Sequence, residues 1–154
     1  MDSKENENSV VTETVPKENQ NTVLITVSEN KVCISSDSIL QIQRNLDIFP
    51  LPFMSEYIAG VTNYGGTIYA VIDLDQLLLK KKCTSSQFVI ISDENEICLH
   101  VDEALSFVTE YTETNNSVSN KYFSKEISVN GENAFMLNLK AIISKVKEDI
   151  AQKD

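Results

Sequence analysis

At 154 residues, 42% hydrophobic and 23% charged, the chain is long enough for one compact core and too apolar to be disordered throughout. A net charge of −10 and a pI near 4.5 argue against a nucleic-acid backbone or an anionic membrane as partner, since both are held by basic patches that displace counterions. Three cysteines without CxxC spacing and a single histidine leave no His/Cys zinc set, so reduced cytosolic thiols are expected, with no metal and no cofactor.

The N-terminus MDSKENENSV has no apolar stretch behind a basic start, and no later run approaches the roughly 20 apolar residues of a membrane span. A cytoplasmic protein without membrane insertion is expected. Residues 1–20 are almost all polar or charged, with Val10, Val11 and Val15 as the aliphatics after Met1, and are read as a flexible acidic tail. Residues 21–154 are read as the folded unit.

The composition changes at Val23, where VLITV and KVCI flank Ser28, Glu29 and Asn30 and predict a hairpin. SILQIQRN continues as a strand, although its apolar spacing also suits a short helix. Pro50 and Pro52 forbid a regular interior element and leave Phe49, Leu51 and Phe53 on an extended connector before a short SEYI turn of helix. GVTNY and TIYAVID flank Gly65-Gly66, predicting a tight hairpin or bulge between core strands. Asp73 is a candidate N-cap, with Gln76 as capping-box partner, for a short helix through Leu77 and Leu78.

After Lys80, Lys81 and Lys82 the pattern repeats in kind, with QFVIIS, ICLHV and ALSFVTE all strand-like, implying a second barrel-like half. A polar loop around Asn115 and Ser119 precedes EISVNG and ENAFML, and Asn130-Gly131 between these runs is the strongest hairpin signal in the chain. Leu139, Ile142, Ile143, Val146 and Ile150 then recur at helical spacing behind a candidate cap, Asn138. Many short strands with turn signals and little helix predict a mostly β fold of barrels or a sandwich.

The segment from Gly60 to Leu74, GVTNYGGTIYAVIDL, resembles the signature of the CheW family: a Gly-Val-x-Asn-x-Arg-Gly turn, then a strand ending in Asp-Leu. Pro52 to Ile58 resembles the family's connector into that turn, and Leu99-His100-Val101-Asp102 its later Val-Val-Asp strand. The resemblance covers about residues 22–148. It implies two intertwined five-stranded SH3-like barrels, each with a core and with a third core between them, closed by a C-terminal amphipathic helix. It also implies an adaptor that binds the regulatory domain of the histidine kinase CheA and the cytoplasmic tip of a methyl-accepting chemotaxis receptor, recruited to receptor arrays. The family's turn arginine is Gly65 here, its following proline is Ala70, and a family glutamate corresponds to Gln41.

Seven residues are candidates for protein binding. Asn63, Tyr64 and Gly65 form a hairpin tip that either anchors a partner or simply needs glycine to turn. Ile39 and Gln41 alternate onto one strand face, presenting a groove wall to a receptor helix unless Ile39 is core. Cys98 and His100 share a face opposite Ile97, Leu99 and Val101, so one set is expected to look away from the core. Asp73, Asp102 and Glu103 are read as a cap and solvated carboxylates, and Lys80 to Lys82 as a solvated loop. With no nucleophile, base and orienting group brought together and no phosphate loop, no enzyme is expected. Two readings remain: an adaptor joining kinase and receptor, or a divergent CheW-like module that fills arrays or serves another pathway without tight kinase binding.

Overall fold

A computed structural model of the chain describes residues 21–151 apart from residue 93; nothing is described of the side chain of residue 105. The acidic tail expected over residues 1–20 lies outside the described residues. The elements run β1 (Thr22–Val27), β2 (Asn30–Ser35), a 3-10 turn (Ser36–Ser38), β3 (Ile39–Arg44), β4 (Ile58–Tyr64), β5 (Thr67–Asp73), α1 (Leu74–Leu79), β6 (Gln87–Ile91), β7 (Ile97–Val101), β8 (Glu103–Val108), β9 (Thr112–Glu113), β10 (Phe123–Val129), β11 (Glu132–Leu137) and α2 (Leu139–Ala151).

They build two sheets, one of six strands in the order β8-β1-β2-β11-β10-β9 and one of five in the order β3-β6-β7-β5-β4. Sequence reading put a second half after the lysines, but β6 and β7 complete the sheet of β3 to β5, and the chain returns through β8 to β11 to complete the sheet begun by β1 and β2. The halves are therefore intertwined. Most pairings are antiparallel, while β2 with β11 and β5 with β7 run parallel.

Three apolar clusters account for the burial pattern. Leu24, Cys33, Val108, Tyr111, Ile127, Val129 and Ala134 pack on one another from the first sheet and the segment following β8, which requires that sheet to curl over its own face. Tyr69, Val71, Phe88, Ile90 and Cys98 do the same in the second, joined by Leu46 and Ile48 from the connector. The opposite faces meet in the largest cluster, where Val23, Ile25, Val27, Val32 and Ile34 face Ile72, Val89, Ile91, Leu99 and Val101. A core inside each unit and a third between them is the arrangement the resemblance implied.

Local signals explain most element boundaries. Gly65 and Gly66 at φ +61° and +88°, and Asn130 and Gly131 at φ +52° and +83°, give both hairpins two successive left-handed residues, as a two-residue turn of the I′ type requires. Asp73 caps α1, its Oδ1 accepting from the Gln76 backbone N–H at 3.0 Å. The reciprocal half of a capping box is not made, because the Asp73 N–H donates to the Tyr57 carbonyl at 2.8 Å. Asn138 caps α2 through Ala141 N–H at 3.2 Å. Ile142 and Val146 enter the central core, whereas Ile150, expected on the same stripe, is exposed and Asp149 is buried in the last turn.

The SEYI segment is a reverse turn closed by Ile58 N–H to Ser55 C=O at 3.0 Å, not a turn of helix, because the Tyr57 carbonyl is already committed to Asp73 and β4 begins at once. Among the described residues no helix is long and apolar enough to cross a membrane.

Candidate protein-docking surfaces

β3 and β4 form opposite edges of the five-stranded sheet, and each edge carries exposed apolar side chains. At the β3 edge the register shifts between Ile39 and Gln41, so Ile39 faces Ile91 of β6 while Gln41 faces Ile90. This bulge corrects the expectation that Ile39 and Gln41 share a face: residues directly opposite lie on the same side of a sheet, and Ile90 and Ile91 point to different sides. Ile39 and Ile42 both pack against the central core, Gln41 is exposed on the other face, and Leu40 is exposed at the bulge itself. The i, i+3 spacing that suited a helix in the sequence is the mark of this bulge.

Beyond Ile42 the seam between the sheets opens into a groove of about 380 Å³, lined by Ile42 and Arg44 of β3, Gln87 of β6, Val23 of β1 and Ala104, Ser106 and Phe107 of β8. Phe107 lies opposite Val23, on the face of the central core, yet it is exposed because no strand of the second sheet covers it there. The groove is apolar with a guanidinium at its rim, a shape suited to the apolar face of a helix.

At the opposite edge the proline connector is stapled to β4. Phe49 N–H donates to Val61 C=O at 2.8 Å and Val61 N–H to Phe49 C=O at 3.0 Å. That approach depends on Gly60 at φ +147°, where a Cβ would stand 2.3 Å from the Phe49 carbonyl oxygen. The staple holds Phe49, Leu51 and Phe53 in solvent, with Phe53 87% exposed and itself at φ +61°. Ile68 on β5, opposite Asn63, adds a fourth exposed apolar group on the face that also carries Val61.

The hairpin tip beside this patch is built by polar backbone chemistry. Asn63 Oδ1 accepts from Gly66 N–H at 3.1 Å, and Tyr64 turns back, half-buried, against the core of the second sheet. Gly65 is exposed and open, with nothing within 4 Å of where a Cβ would stand. Asn63, Tyr64 and Gly65 thus sit together, and the connector residues beside them went unassigned in the sequence, where only the prolines and the alternation of Phe49, Leu51 and Phe53 pointed to them.

Cys98 and His100 do not join either surface. All five residues of β7 are buried, because the central strand has one core on each face, contrary to the expectation that one set looks away. His100 stacks on Phe88 with ring centroids 4.4 Å apart, and its Nε2 hydrogen-bonds the Ser85 carbonyl at 2.8 Å. Burial pushes the Cys98 thiol up to about 12.

The two surfaces occur on a scaffold with a known relative. A family model for the CheW-like domain matches residues 21–147. The chain belongs to the CheW-like domain family. Members of that family are non-catalytic scaffolds and adaptors. A solved structure similar in fold is the scaffolding protein TtCheW from Thermoanaerobacter tengcongensis, 16% identical, with a TM-score of 0.67 over 78% of this chain and 89% of that chain. No curated protein matches the chain. Within this CheW-like domain, α2 is locked to the second sheet by Tyr57, whose hydroxyl donates to Asp149 Oδ2, while Lys145 Nζ reaches the same carboxylate at 3.3 Å. Burial first, and the Asp149 carboxylate second, hold the Tyr57 phenol protonated well above the usual tyrosine range.

Proposed function

We propose that this chain is a chemotaxis adaptor that couples a methyl-accepting receptor to the histidine kinase CheA. The observation that carries this reading is the placement of two exposed apolar surfaces on opposite edges of one rigid sheet. They lie at the two ends of the strand order, with β6, β7 and β5 between them, so two partners can engage different strands. The groove at the β3 edge takes a helix of the receptor's cytoplasmic tip. The connector and hairpin at the β4 edge take the CheW-like regulatory domain of the kinase, a β surface meeting a β surface. Signal passes because docking fixes the partners' relative geometry, in the cytoplasm at membrane receptor arrays.

A second reading is favoured by the hairpin tip. With Gly65 in the place of the family's arginine and Gln41 in that of its glutamate, charge-assisted contacts that orient partners are missing, which suits a module that fills arrays or serves another pathway without tight kinase binding. Co-sedimentation of the chain with a receptor fragment and kinase, beside the Gly65→Arg variant, separates them. The adaptor reading expects assembly by the parent chain and tighter assembly by the variant, whose side chain meets open space but must be held at the left-handed φ of +61°. Receptor binding without kinase retention by both forms would leave the array module standing.

A further inference from the structure

Side chains from three separate segments converge under the loop that follows α1. Asp73 is fully employed there, Oδ1 accepting from Gln76 N–H and Oδ2 from Cys83 N–H at 3.0 Å. The second bond folds the loop back so that the Cys83 thiol points inward, with Sγ 3.5 Å from Asp102 Oδ1. Asp102, between β7 and β8, uses its other oxygen to accept the Ser28 N–H from the β1–β2 turn. Asp75, from the first turn of α1, completes the group: it is only 5% exposed, and its Oδ1 has no hydrogen-bond partner. The Cys83 sulfur and one carboxylate oxygen each of Asp75 and Asp102 lie within 4.8 Å of one another.

A buried carboxylate oxygen facing a second carboxylate and a thiol is expensive unless something positive joins them. One proton on sulfur supplies the Asp102 contact and leaves Asp75 Oδ1 unanswered.

We infer that Asp75, Cys83 and Asp102 form a binding site for a zinc-like divalent cation. With Zn–S near 2.3 Å and Zn–O near 2.1 Å, the sulfur–oxygen edge of a tetrahedral site is about 3.6 Å, and the Cys83 Sγ to Asp102 Oδ1 separation of 3.5 Å has that length. A thiolate among the ligands selects zinc over magnesium or calcium, which take oxygen. The cation replaces the thiol proton, which leaves to solvent, so two carboxylates and a thiolate share one dication. Ser85 Oγ, 3.6 Å from the sulfur, or a water completes the shell. Counting cysteines and histidines missed the site because two of its ligands are aspartates from distant segments.

The consequence is a clamp: α1, the loop after it, the β7–β8 turn and, through Ser28 and the Asp102 N–H bond to Thr26 at 3.1 Å, the first sheet are all tied to one ion. The test is titration of the chelator-treated full chain with Co2+ and then Zn2+, read by absorbance and thermal unfolding. One equivalent of Co2+ should give a near-ultraviolet thiolate-to-cobalt band that Zn2+ abolishes, and Zn2+ should raise the melting temperature. Cys83→Ser should lose the band and the zinc-dependent rise, while Cys33→Ala keeps the band and circular dichroism reports whether each variant is folded. Outer-shell partners alone are worth about 10–100-fold in metal affinity, so Asp75→Asn should weaken binding by at least about tenfold. The inference is overturned if the parent chain shows no thiolate band, if the band survives Cys83→Ser, or if zinc leaves the melting temperature unchanged while Asp75→Asn alone raises it, the signature of a shared proton.

Discussion

Replacing Gly60 by alanine places a Cβ 2.3 Å from the Phe49 carbonyl oxygen, 2.8 Å from the Phe49 carbonyl carbon and 2.9 Å from Pro50 Cα. All three are backbone atoms of a segment stiffened by Pro50 and Pro52, so no side chain can swing aside. The connector must lift off β4, losing the paired bonds between Phe49 and Val61. Each such bond contributes about 0.5–1.5 kcal/mol. Holding alanine at φ +147° instead would cost about 1–3 kcal/mol in backbone strain. Whichever way the protein yields, the expected loss is about 1–3 kcal/mol, and urea unfolding should show a midpoint lower by roughly 0.5–1.5 M for a slope of about 2 kcal/mol/M. Amide hydrogen exchange gives the sharper reading, since Phe49 and Val61 should lose protection while β6 and β7 keep theirs. Stability within about 0.5 kcal/mol of the parent, with the Phe49 amide still protected, would refute the claim that glycine is needed for this approach.

Two further substitutions probe the fold and the surface separately. Tyr57→Phe removes the hydroxyl that donates to Asp149 and should cost about 1–3 kcal/mol in denaturant unfolding. Because the folded-state pKa of Tyr57 is raised above its ordinary value of 10.0, its contribution is fully present below about pH 10 and is lost as pH rises further, so the parent's stability should fall more steeply at alkaline pH than that of Tyr57→Phe. Phe53→Ser, at a side chain 87% exposed, should leave stability unchanged within about 0.5 kcal/mol and weaken co-sedimentation with the kinase while sparing the receptor. Unchanged kinase retention would remove the connector from the docking surface.

Periodicity and turn chemistry belong to short stretches of chain, and these were readable without a structure. Both hairpins followed from glycine-bearing pairs that tolerate left-handed backbone, the cap of α1 from an aspartate before an apolar run, and the mostly β class from the count of short strands between turn signals. The resemblance in Gly60 to Leu74 carried the family, and with it the three-core plan.

What tertiary structure alone decided was facing and partnership. The bulge in β3 depends on which residues of β6 lie opposite, so one extra residue sent Ile39 and Gln41 to different faces. The burial of Cys98 and His100 depends on β7 lying central with a core on each side, information that alternation within five residues does not hold. Gly60 reads as the start of a strand before the Gly65-Gly66 turn until the connector is seen against it, and Asp75, Cys83 and Asp102 draw no notice as a set until the loop after α1 folds back. Local sequence sets the conformations a segment prefers; contacts between segments far apart in the chain set which side chains meet, and both the docking surfaces and the cation site are made of such meetings.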